Sequence, residues 1–123
     1  MNHIWRYLQT EENKNVVVIC QHGDQAEIII KDIADKVKRH SILNSKKLKG
    51  FTRNVLAYDT NKVLVFQFGV IEWRLRGYSI DLFLLHEDLD HFQKMKALNI
   101  AAPAMTADCI MGKYKDESDY HYI

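Results

Sequence analysis

Apolar residues along this chain follow two rhythms. In "VVVIC", residues 16–20, five apolar residues run together and four of them are β-branched. That pattern suits a strand covered on both faces, the central position of a parallel sheet. Upstream, Ile4, Trp5 and Leu8 fall on one helical face, so residues 2–9 predict a short helix closed by the polar "TEENKN". Downstream, "HGDQAEIIIKDIADKVKRH" has a helical stripe: Ala26, Ile29 or Ile30, Ile33 and Val37 face inward, and Lys31, Asp35, Lys38 and Arg39 face water. Asp24 and Glu27 are spaced as a capping box at its start. Strand, short loop and helix predict half of a βαβ unit, with a right-handed crossover to a neighbouring parallel strand.

The second half continues the mixture. The basic "SKKLKGFTR" predicts a loop, and "NVLAYD" and "KVLVFQFG", separated by turn residues, predict a β-hairpin at a sheet edge. Residues 80–85 predict another buried strand. Asp88 or Asp90 then caps a helix whose inner side would carry Leu89, Phe92, Met95 and Leu98 or Asn99. The helix should stop before Pro103, the only proline, and "CIMGKY" predicts one more short strand. The expected fold is a single α/β domain over residues 1–115, with a mixed, mainly parallel sheet, flanking helices and a β-hairpin. Residues 116–123 would form a polar tail, loosely held unless a partner covers it.

Composition narrows the class without naming a function. The chain has 123 residues, 47% hydrophobic and 27% charged, enough for one domain with a core. A net charge of +1 predicts no global attraction to nucleic acid or anionic membrane, so such binding would need a local patch. No apolar run reaches the length of a membrane span and the start lacks a signal-peptide design, so the expected location is the cytoplasm with no membrane partner. Cys20 and Cys109 lack metal-type pairing and read as two reduced, buried thiols.

Three constellations carry candidate chemistry. "HEDLDH" gathers His86, Glu87, Asp88, Asp90 and His91. A helix starting early would put His86 and Asp90 on one face, and with His91 they form a candidate zinc or manganese site; the alternative is a capped helix start whose acids complement the macrodipole. Lys46, Lys47, Lys49 and Arg53 around Phe51, with Arg74 and Arg76 beside Trp73, mix cations and aromatics in the way that contacts phosphates and stacks on exposed bases; the alternative is a solvated set of charges or a protein contact. His22 and Asp24 sit after the "VVVIC" strand, where α/β proteins bind ligands, in a short loop with Gly23 that could receive an anion; the alternative is an ordinary βα turn. No Ser–His–Asp or Cys–His pattern has local support, and no cofactor is expected.

The order of elements over residues 2–112 resembles the ATPase core of viral and phage terminase large subunits and related helicase-like motors. The resemblance rests on Gln25–Ala26 near a helix start, the β-hairpin, Arg76–Gly77 ahead of the acidic strand, and His86–Glu87 where that strand normally ends in Asp–Glu. It implies a degenerate P-loop NTPase-like fold. A phosphate loop of the form GxxxxGK[ST] is missing from the sequence, and the resemblance begins at "HIWRYLQ", as though the chain starts after that loop. His86 is also a poor substitute for a carboxylate that orders magnesium. The combination implies a phage-type, non-catalytic binding module with a protein partner, or DNA bound through the local basic patch, in packaging, replication or host defence. The rivals are one piece of a split ATPase motor whose phosphate loop comes from another chain, and a metal-dependent enzyme centred on His86–His91.

Overall fold

The structure, a computed structural model, describes residues 2–40, 47–75 and 77–122. The apolar "VVVIC" run forms β2 (Asn15–Cys20), the inner strand of an eight-stranded sheet. Ahead of it lie a two-residue strand, β1 (Asn2–His3), and α1 (Ile4–Thr10). After it come α2 (Gly23–His40), β3 (Leu48–Phe51), β4 (Val55–Tyr58) and β5 (Asn61–Gln67). A 3₁₀ turn and α3 (Ile71–Arg74) lead to β6 (Ile80–His86). Then α4 (His91–Ala101), a 3₁₀ turn holding Pro103, β7 (Met105–Lys115) and β8 (Asp119–Tyr122) follow.

Strand order across the sheet is β1-β8-β7-β6-β2-β5-β4-β3. The central ladders β5–β2, β2–β6 and β6–β7 are parallel. The other four among the described residues, β1–β8, β7–β8, β4–β5 and β3–β4, are antiparallel. The sheet is therefore mixed, and the expectation of a mainly parallel one is corrected by the two antiparallel margins. Alternation along β2 divides the core. Val16, Val18 and Cys20 meet α1 and α2 on one face, and Val17 and Ile19 join the cluster under α3 and α4 on the other. Each of these β2 side chains is fully buried.

Four local expectations change. The stretch expected as a loop, "SKKLKGFTR", contains the edge strand β3. The capping box lies on α4, where Asp90 accepts the Gln93 N–H and Gln93 returns the bond; Glu27 pairs with Lys31 at 3.1 Å instead. α4 packs through Ala97 and Ala101, with Leu98 half-buried against the same cluster and Leu89 buried ahead of it as expected, but Phe92 is 70% and Met95 46% exposed. The sheet beneath α4 presents Phe83 and Leu85, with Leu89 of the following turn buried beside them, so the alanines make the closest approach. Finally, the expected tail holds β8, which pairs with both β7 and β1 and buries Tyr120. Its turn is anchored by the fully buried Ser118, whose hydroxyl donates to Asp32 at 2.7 Å.

Candidate functional site

The four parallel strands deliver their C-terminal ends to one rim: Gln67 from β5, Cys20 from β2, His86 from β6 and Lys115 from β7. The chain goes from β2 through α2 to β5 on one side, then through α3 to β6 on the other side of β2. That reversal makes the β2/β6 gap the switch point, the usual ligand crevice of doubly wound sheets. Here side-chain amides occupy it. Gln25 Oε1 accepts the backbone N–H groups of Gln21 at 2.9 Å and His22 at 3.0 Å, and Gln25 Nε2 donates to Asp88 at 3.0 Å. Gln21 reaches across to Gln93 at 3.5 Å. The loop at His22 and Asp24, which the sequence allowed either as an anion acceptor or as an ordinary βα turn, has thus committed two of its N–H donors to Gln25.

The acidic strand end is equally self-contained. His86 is 5% exposed, and its ring stacks on Tyr114 with 5.8 Å between centroids. Its Nδ1 accepts the Asp88 N–H at 3.1 Å, and its Nε2 lies 4.0 Å from the Asp116 carboxylate. Asp90 is occupied in the cap, and His91 is exposed at the first position of α4. Among the described residues no three His, Cys, Asp or Glu side chains are arranged to hold a metal ion, so His86, Asp90 and His91 do not form the site their sequence spacing allowed. The carboxylates of Glu87 and Asp88 lie in solvent.

The basic residues separate along the sheet. β3 is antiparallel to β4 and β4 to β5, so β3 runs in the direction of β5 and the turn after it, Thr52–Asn54, lies at the same rim as Gln67. Lys47 lies at the opposite end, with Nζ 4.0 Å from Asp59 in the β4–β5 turn. Lys49 is exposed on β3; Lys46 and Arg76 lie outside the described residues. Arg53 and Arg74, from the β3–β4 turn and the end of α3, line one cavity of about 260 Å³ at the head of α2. Arg53 also reaches Glu27 at 3.8 Å. Glu27 is mainly the partner of Lys31, whose hydrogen bond and charge hold its carboxyl below the ordinary range, with Arg53 adding to the effect.

Two amide residues missed in the sequence, Asn54 and Gln67, line the same cavity, with Phe66 and Val70 as apolar wall. Gly23 allows the close approach of Gln67, since a Cβ there would sit 3.2 Å from its Oε1. The signal for Gln67 was present: it is the polar residue that ends the apolar run of β5. Cys20 and Cys109 are free thiols that burial pushes up from 9.0 to about 11, so neither supplies a nucleophile near neutral pH. No helix among the described residues is long and apolar enough to cross a membrane. No protein-family model and no curated protein matches the chain.

Proposed function

We propose that this chain is a non-catalytic binding module of terminase-like ancestry that grips the phosphates of DNA at the rim carrying Arg53 and Arg74. One observation carries the reading: two arginines far apart in sequence line the same cavity, with amide donors beside them. Guanidinium groups suit phosphate through planar, paired donation. The order strand, helix, hairpin and acidic-ended strand, seen as β2, α2, β4–β5 and β6, supports the ancestry. His86 argues against a working metal centre, because its ring is buried under Tyr114 and its Nδ1 is taken by a backbone N–H. A cytoplasmic, phage-encoded setting goes with this reading and with two unpaired thiols. A protein partner is the second reading, favoured by the outward Phe92 and Met95 on α4.

Fluorescence anisotropy with labelled DNA tests the grip. Binding should be modest and salt-dependent, and replacing both Arg53 and Arg74 by Ala should weaken it by tenfold or more and make the log–log salt slope shallower by about 1.5. Lys47→Ser, at the far end of β3, should change affinity by less than about twofold. Unchanged binding by the folded double variant refutes the reading.

A further inference from the structure

We infer that the nucleic acid held at this rim is single-stranded, with one base stacked on Trp73; this rests on the phosphate grip proposed above. Trp73 is 76% exposed, the most exposed large apolar side chain among the described residues, and directly precedes Arg74 in α3. Single-strand binders combine exposed aromatics with phosphate-binding cations, because every base offers a face to stack and duplex bases do not. The cavity points the same way. It is a concave recess of about 260 Å³, walled by Val65, Phe66 and Val70, with the amides of Asn54 and Gln67 at its edge. A duplex presents a convex, charged backbone and no bare base, so apolar walls and amide groups would have nothing to engage. An unpaired strand offers both components: phosphates for Arg53 and Arg74, and an unstacked base for the ring and the recess.

Titrations of the full chain with labelled oligo(dT), and with a duplex of equal length, decide the question. Oligo(dT) should bind about tenfold more tightly than the duplex and quench tryptophan emission. Trp73→Ala should abolish that quenching and weaken oligo(dT) about tenfold, with duplex binding unchanged, and Trp73→Phe should keep most of the affinity. Equal affinity for the two forms, or oligo(dT) binding indifferent to Trp73→Ala, overturns the single-strand inference and leaves the arginine grip standing. Binding that is absent, or insensitive to loss of Arg53 and Arg74, removes the grip and this inference together.

Discussion

Asn61 is a small polar residue whose removal should cost more than most core substitutions of its size. It is 1% exposed at the start of β5. Its Nδ2 donates to the carbonyls of Leu8 at 2.9 Å and Glu11 at 2.7 Å, and its Oδ1 accepts the Lys14 N–H at 2.8 Å. One amide thus satisfies the end of α1 and sets the entry into β2, joining two segments far apart in sequence. Asn61→Ala leaves a fully buried carbonyl at Leu8 without a partner, worth about 1–3 kcal/mol, and breaks two half-buried bonds that water can partly replace, at about 0.5 kcal/mol each. The expected loss is about 3 kcal/mol, a large share of the roughly 5–15 kcal/mol typical of a small domain. In thermal unfolding this corresponds to about 10 °C. Asn61→Asp should be worse, because an oxygen replaces the NH₂ group between two carbonyl oxygens. Urea titration followed by circular dichroism measures both, with Thr60→Ala as control: Thr60 accepts only one exposed bond, from Asn13 N–H, and its loss should stay within about 0.5 kcal/mol. If Asn61→Ala costs less than about 1 kcal/mol, water fills the site and the amide does not hold α1 to the sheet.

Two further perturbations test the frame around the site. Gly112 of β7 faces the backbone of β8, where an added Cβ would collide with the His121 carbonyl oxygen and press on Leu84 Cδ2 at 3.2 Å; Gly112→Ala should lower the urea midpoint markedly, and an unchanged midpoint would show that β8 is not held at this register. Burial raises Cys20 and Cys109 from 9.0 to about 11 and Tyr120 from 10.0 to about 12, so the fold retains protons that the unfolded chain releases. Their contribution is complete below pH 9 and is lost progressively as pH rises from 9 through 11 to 12, so the urea midpoint should fall across that whole window and fall less steeply in Cys20→Ala. A flat midpoint from pH 9 to 11 would contradict it.

What was legible in the sequence depended on contrast. β2 and α2 were plain because apolar and charged positions segregate cleanly: Ala26, Ile29, Ile30, Ile33 and Val37 are all buried, with Lys31, Asp35, Lys38 and Arg39 exposed. α4 was found with Leu89 and Leu98 inward as expected, but with Phe92 and Met95 facing out. Apolar residues lie on both of its sides, so periodicity chose the large ones, whereas the filled surface under the helix admits the alanines. β8 was hidden by polar composition. Only Tyr120 points fully inward, and the turn before it places Glu117 and Ser118 at φ of 66° and 63° without a glycine to announce it. The ladder to β7, its neighbour in the chain, and the Ser118–Asp32 bond hold that segment, and Asp32 lies far away in sequence.

The position of the cavity follows from what Gln25 does. In an anion-binding βα loop, free N–H groups after the strand face the ligand. In this chain Gln25 folds back over the loop, takes the N–H groups of Gln21 and His22 on its carbonyl oxygen, and gives its own NH₂ to Asp88. An anion arriving at the β2/β6 gap would meet two donors already satisfied and the exposed carboxylates of Glu87 and Asp88 beside them. One strand over, at the end of β5, the balance reverses. Gly23 leaves room for Gln67, Ala26 keeps the wall low, and Arg53 and Arg74 supply charge only partly offset by Glu27 at 3.8 Å. Gln25 thus closes the customary crevice, while its neighbour Ala26 lines the open cavity.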